Sequence, residues 1–356
     1  MRIPVRIVRR HEISRGAQAV VPLVAVILAL AVGALFLLLY GISPIMVYRE
    51  MLGGAFGSYY GVSETVVKAI PLMLAGLAVS LAFRMQLWNI GAEGQIYLGA
   101  FAASGVALFS DLPPVLLLPA MLFAAFLAGA CWGLIPGILK GFWDVNETIV
   151  SLMLNYVGIL WVEYLVFGPW RDPQGFNYPL TRVFPEGAAL PPLLPTSRVH
   201  AGLLVALVIA GLLWYVIRST RWGYEIRVLG ESWPAARYAG MNTIKNVVLV
   251  FLISGGIAGI AGMVEVAGVT HRLQQGLSPG YGYTGIIVAW LARLNPFAII
   301  LVSFLLGALL VAGYSIQTIG LPFSVVSMLQ GLILFFLLGG ELFITHEITW
   351  DRKRSM

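Results

Sequence analysis

The stretch LWNIGAEGQIYLGAFAA, residues 87–103, looks apolar enough to enter a membrane, yet it carries Asn89, Glu93 and Gln95 among three glycines, Gly91, Gly94 and Gly99. Glycine twice within a turn, at Gly91 and Gly94, weakens a helix. Irregular backbone at membrane depth survives only when it is buried in protein or faces a water-filled cavity. The stretch therefore reads as a break in a helix within a helical membrane protein. Its amide and carboxylate side chains can satisfy the backbone groups that the break sets free. Residue types alone leave two roles open for them, lining a solute route or clamping the break.

The rest of the chain agrees. Of its 356 residues 59% are hydrophobic and 11% charged, with mean hydropathy +0.89, whereas soluble domains carry roughly 25% charged residues. A bilayer core takes roughly 20 apolar residues per helix. Apolar segments occupy residues 20–40, 64–82, 90–109, 115–139, 147–167, 200–217, 246–264, 283–292, 297–313 and 322–339. The expected fold class is all-α, a polytopic helical membrane protein with about ten transmembrane segments. Segment 283–292 is too short to span alone and reads as half of a broken helix. The first segment exceeds the roughly 7–15 residues of a secretory signal and lacks a small-residue cleavage pattern, so an uncleaved helix is expected. Gly-rich stretches recur at 89–105 and 253–268, which suits either an internal inverted repeat or plain helix packing.

Charge sets the orientation. With the amino terminus in the cytoplasm and strict alternation, the 22 Lys and Arg residues fall inside except Arg49, Lys68, Arg171, Arg182, Arg198 and Arg272, as the positive-inside rule demands. Both termini are then cytoplasmic: segment 1–19, a transmembrane domain over 20–340, and a tail at 341–356. The external loop 168–199, rich in proline and aromatics, either meets something outside or covers the helix ends. The cytoplasmic loop 218–245 is the other long connection. No basic stripe interleaved with aromatics points to nucleic acid, and membrane lipid is the surrounding phase.

Several chemistries have no residues to carry them. There is no Gly-Lys-Ser/Thr and no H-E-x-x-H. The histidines, His11, His200, His271 and His346, are scattered, and the single cysteine, Cys131, permits no internal disulfide. A non-enzyme is expected, driven by an ion gradient or by a partner. Among ionisable residues within the segments, each costing at least about 2.5–3.5 kcal/mol at bilayer depth, Lys68 follows Glu64 by one turn and the local pair accounts for it. Glu163 and Glu265 lie near outer ends and read as interfacial. Glu93 has no such explanation. Asp144 or Asn146 can cap the helix beginning at Glu147, whereas Asn155, two turns on, has no local reason to be polar and is a route candidate.

FRMQLWNIGAEGQIYLGAFAA (83–103), VNETIVSLMLNYVG (145–158) and LGESWPAARYAGMN (229–242), in this order, resemble the permease subunits of bacterial ABC importers in the ribose, nucleoside and branched-chain amino acid group. The resemblance runs from about residue 69 to 338 and is nearest the nucleoside members that work with a basic-membrane-protein-type lipoprotein. It implies inward transport of nucleosides, purines foremost, by alternating access in a bacterial or archaeal cytoplasmic membrane. It also implies a second related permease, an ABC ATPase that holds ATP and Mg, and an extracytoplasmic solute-binding lipoprotein, with no cofactor in this chain. Residues 230–240 would form the short coupling helix that docks on the ATPase, with Gly230, Glu231, Ala235, Ala236, Arg237 and Gly240 as its contact set. Ser232 suits its cap, Pro234 its first turn and Gly240 its end. The late motif GYGYTGIIVAWLARLNP (280–296) departs from the group, which favours small residues there, by carrying Trp290 and Arg293. A sugar permease is the nearest alternative. An ion-coupled carrier titrating Glu93 is the alternative from a different class.

Overall fold

The computed structural model describes the backbone of residues 5–9 and 15–350 and the side chains of residues 20–340. Of the expected terminal segments, residues 1–4, 10–14 and 351–356 lie outside the described residues. Among the described residues the chain is helical except for one two-stranded ribbon, the long irregular connection 168–201 and shorter turns. The chain divides into two compact units, one of residues 53–311 and one built from the two ends of the sequence.

In the terminal unit, α1 (Arg15–Leu39) packs on α13 (Ser324–Thr345). A Cβ on Gly33 would lie 2.5 Å from Leu329 Cδ2, so the helices are close there. α2 (Pro44–Phe56) begins in this unit, where the Tyr48 hydroxyl donates to Leu30 O at 2.6 Å. β1 (Val5–Arg9) pairs antiparallel with β2 (His346–Trp350).

The larger unit contains α3 (Tyr59–Phe83), α4 (Ala92–Phe109), α5 (Pro114–Trp143), α6 (Glu147–Phe167), α7 (Gly202–Ser219), α8 (Arg221–Glu231), α9 (Trp233–Tyr238), α10 (Thr243–Glu265), α11 (Tyr281–Leu291) and most of α12 (Pro296–Gln317). Each of the ten apolar sequence segments falls on a helix. Among the described residues seven helices are long and apolar enough to cross a membrane, while α11 and the 324–340 part of α13 are shorter. The structure adds α2 and α8, which periodicity had not singled out.

Starts and stops follow side-chain chemistry. The Ser58 hydroxyl accepts from Gly61 N–H at 3.0 Å, and Asn146 Oδ1 accepts from Thr148 and Ile149 N–H. Each satisfies donors that a first helical turn leaves open. Asp144 does not share that task. It ends α5 in the left-handed region and pairs with Lys140 at 2.7 Å, which holds its carboxyl below the usual range.

α3 and α10 form the centre. α10 reaches α4 and α5 at backbone contact: a Cβ on Gly262 would lie 2.0 Å from Ile96 O, and one on Gly129 2.2 Å from Gly255 O. The two Gly-rich stretches thus meet each other, and small residues let the backbones approach, as is usual between membrane helices. The external loop covers helix ends. Its backbone bonds to the segment after α10 through Thr181 N–H to Leu273 O, Phe184 N–H to His271 O and Leu190 N–H to Ala267 O, each 2.9 Å. Trp170 stacks on Phe101 at 5.2 Å.

Candidate transport site and candidate coupling segment

After α3 the chain runs without regular helix from Arg84 to Gly91 before α4 begins. The break read from the sequence is this connection, placed at the start of α4. Asn89 Nδ2 donates to Ser254 Oγ at 2.8 Å and to Gln95 Oε1 at 3.1 Å, and Gln95 Nε2 returns a bond to Asn89 Oδ1 at 3.1 Å. Ser254 Oγ in turn donates to Ala78 O at 2.7 Å. Asn155, on α6, accepts from Gly94 N–H at 2.8 Å and donates to Ile90 O at 2.8 Å and to the Tyr283 hydroxyl at 3.2 Å. Glu93 Oε2 accepts from Gly282 N–H at 2.6 Å, so its carboxylate meets the first turn of α11, where a negative charge is favoured by the helix dipole. The structure thus brings Asn89, Glu93, Gln95 and Asn155 into one knot joining α3, α4, α6, α10 and α11. None is more than 2% exposed. Ser254 lies about 17 Å along α10 from Thr243 at the helical rise, so the knot sits deep.

The expected pair of Glu64 with Lys68 does not form. Lys68 Nζ instead reaches Glu265 Oε1 at 3.3 Å and the Tyr281 hydroxyl at 3.0 Å, while Glu64 is gripped by the Arg198 guanidinium from the external loop. Spacing puts two groups on one helix face. In a packed bundle each then turns to the neighbour that best removes its charge from a low-dielectric interior. Glu265 is likewise not interfacial: it is 3% exposed. Near this corner burial, reinforced by His271 and Arg198, pushes the His200 imidazole down to about 4, and its Nδ1 accepts from Gly202 N–H.

The segment expected from the resemblance to couple to an ATPase is two helices. Gly230 and Glu231 end α8, and the short helix is α9 at Trp233–Tyr238, narrower than residues 230–240. The divider is Ser232, extended at φ −157°, whose hydroxyl accepts from Ala235 N–H at 3.3 Å. Gly240 closes the segment at φ +75°, a conformation that glycine adopts without steric cost. Ala236 is buried, and Ala235 and Arg237 are exposed. Gly230 has a second task. A Cβ there would lie 2.0 Å from Arg84 O, and Gln86 Nε2 donates to Gly230 O at 2.6 Å. Arg84 itself donates to Leu294 O beyond α11. The α8–α9 segment is therefore tied to the same connection, 84–91, that feeds the polar knot. Beside α9 opens a cleft of about 790 Å³, lined by residues including Lys140, Trp143, Asp144, Trp233 and Arg237.

Ser254, Tyr281, Tyr283 and Arg84 were missed as members of these clusters. A serine, a tyrosine or a helix-end arginine carries no signal in one sequence until its partner is known.

Residues 61–338 match the family described as "Branched-chain amino acid transport system / permease component". The chain belongs to this permease family. It is 39% identical, over 93% of its length and 90% of the relative's, to "Glucose ABC transporter permease protein TsgB13" of Haloferax volcanii. It is 38% identical to "Guanosine ABC transporter permease protein NupP" of Bacillus subtilis, over 91% of this chain and 94% of the relative. With the same bacterium's "Guanosine ABC transporter permease protein NupQ" it shares 26% over 71% of this chain and 80% of the relative. The permease is thus a multi-pass transport subunit without an enzymatic step of its own, energised by an ABC ATPase. The ion-coupled alternative loses its premise.

Proposed function

We propose that this permease carries purine nucleosides inward across the cytoplasmic membrane of a bacterium or archaeon. The observation that supports this is the full-length similarity to one guanosine permease combined with a lesser similarity to a second from the same organism. Two unequal permeases of one solute imply a heterodimer, in which this chain takes the position of the first. ATP and Mg belong to the ATPase partner, and a solute-binding lipoprotein delivers from outside. Both termini are cytoplasmic in this reading, in keeping with the pairing of β1 with β2 and with the basic residues at either end.

Asn89, Glu93, Gln95 and Asn155 act here by positioning: they hold the start of α4 and of α11 in register beside the route. Gly230, Glu231, Ala235, Ala236, Arg237 and Gly240 belong to the ATPase-docking segment. Nucleotide binding moves α9, and the shared connection 84–91 carries that movement to the knot. The nucleotide biases transport only insofar as it favours one permease state over the other.

The second reading, a sugar permease, is favoured by the 39% identity to the glucose permease. Uptake of labelled guanosine by cells with and without the chain, with unlabelled glucose, ribose and leucine as competitors, separates the two. The expected result is chain-dependent guanosine entry that ignores all three. Entry unchanged by deletion of the chain, together with chain-dependent glucose entry, would move the sugar reading to the front.

A further inference from the structure

The four buried residues of the knot touch other protein groups, which leaves open what touches the solute. α11 supplies an answer. Most of its residues are buried, including Tyr281, Gly282, Thr284, Gly285, Ile287, Val288 and Ala289; besides the terminal Leu291, it is Tyr283, Ile286 and Trp290 that retain exposure. Their spacing of three and four residues puts them on one face. Tyr283 is 37% exposed, and its hydroxyl is fixed by Asn155. Tyr156, the residue after Asn155 on α6, is 56% exposed and within electrostatic reach of Tyr283.

The same face continues in both directions. Two turns outward along α6 from Tyr156 is Glu163, which accepts from Gln275 Nε2 at 3.4 Å. Two turns inward along α11 from Tyr283 is Trp290, 5.9 Å from Trp88, a residue 39% exposed in the connection before the knot. At the helical rise this run covers about 20 Å of a hydrocarbon core about 30 Å thick. Lipid is a poor neighbour for it. Carboxylate and amide groups against acyl chains are costly, so such groups turn to protein or to a water-filled path. The neighbouring exposed arc of α6, Ile149, Met153, Val157 and Leu160, has the composition that lipid contact requires.

We infer that Glu163 with Gln275, Tyr156 with Tyr283, and Trp88 with Trp290 form three successive contact levels for a solute with a flat aromatic ring and a hydroxylated sugar. The inference rests on the nucleoside reading above and names the residues that would serve it. Aromatic side chains present flat faces on which a purine stacks offset, and the outer carboxylate accepts hydrogen bonds from sugar hydroxyls. Trp290, the departure from small residues in the late motif, becomes the inner level. Asn155 is a positioning residue that fixes the Tyr283 ring.

The test is uptake by cells carrying the complete transporter, with the amount of permease in the membrane measured for every variant. Tyr283→Leu and Tyr156→Leu should each lower the rate at saturating guanosine about tenfold and narrow its preference over cytidine. Tyr283→Phe, which keeps the ring, should retain most of the rate. Tyr164→Leu, on the lipid arc, should match the wild type. Wild-type rates in both Tyr283→Leu and Tyr156→Leu would overturn the inference. So would equal losses in all three leucine variants, or a Tyr283→Phe loss as large as that of Tyr283→Leu. Glucose entry without guanosine entry in the wild type would sink the nucleoside reading separately. The variants would then be scored on glucose, where unchanged rates overturn the contact levels, and tenfold losses keep the residues as solute contacts but overturn their assignment to an aromatic ring.

Discussion

The connection at 84–95 and the α8–α9 segment are both polar interruptions between apolar helices, but they are built in opposite ways. In the first, Asn89, Glu93 and Gln95 are buried; Asn89 bonds to Ser254 and Glu93 to Gly282 on other segments, and Gln95 locks onto Asn89. In the second, Glu231, Ala235, Arg237 and Tyr238 are exposed, and α9 is held by its own cap and by buried Ala236. A polar group without water must find a protein partner, so the deep connection is over-determined. A group in water needs none, which leaves α9 a surface for another protein. The difference separates residues expected to hold the fold from residues free to serve the coupling role proposed for α9.

The largest effect should come from attacking the helix contacts beneath the knot. Gly262→Val would drive a Cβ to 2.0 Å from Ile96 O, a backbone atom that cannot swing aside. Folded permease should disappear from the membrane fraction, as fluorescence-detected size exclusion of a tagged chain would show. A well-behaved Gly262→Val protein would mean that α4 and α10 are less tightly joined than described.

Charge comes next. Lys68→Met leaves Glu265 buried and uncompensated, a loss of about 3–5 kcal/mol by the usual penalty for breaking a buried pair. Adding Glu265→Leu should recover most of the thermal stability in detergent. A double variant no better than the single would show that the pair is not the source of the cost. Asn155→Leu is of the same order: it strands the buried Gly94 N–H and Ile90 C=O, at about 1–3 kcal/mol for each group left unsatisfied, and frees the half-exposed Tyr283 hydroxyl. Thermal melting of that variant beside Asn155→Asp, which keeps the acceptor for Gly94, should rank it the weaker.

The smallest effect on stability and the sharpest on function belongs to α9. Gly240→Glu forces a side chain into the left-handed region at φ +75° with open space around it, a strain of about 1–2 kcal/mol. The protein should remain in the membrane while solute uptake and solute-stimulated ATP hydrolysis vanish. Normal uptake by Gly240→Glu would remove α9 from the coupling role.

Composition and the repeat of apolar runs were enough for the all-helical membrane class, because a bilayer leaves a chain few other ways to satisfy its backbone. The glycines and amides of 87–103 marked the break for the same reason: buried irregular backbone needs such residues whatever surrounds it. Ser232, Pro234 and Gly240 marked α9 because caps and turns are chosen by neighbours in sequence. The partners across helices were another matter. Lys68 could be read only against Glu64, four residues away, and its true partners, Glu265 and Tyr281, come from α10 and the start of α11. Likewise Tyr283 gains meaning only where α11 is laid beside Asn155. Sequence spacing encodes which residues share a helix face. Which face meets which neighbour is decided by packing, where glycines such as Gly259 and Gly262 let particular backbones close and carry every distant side chain to its partner.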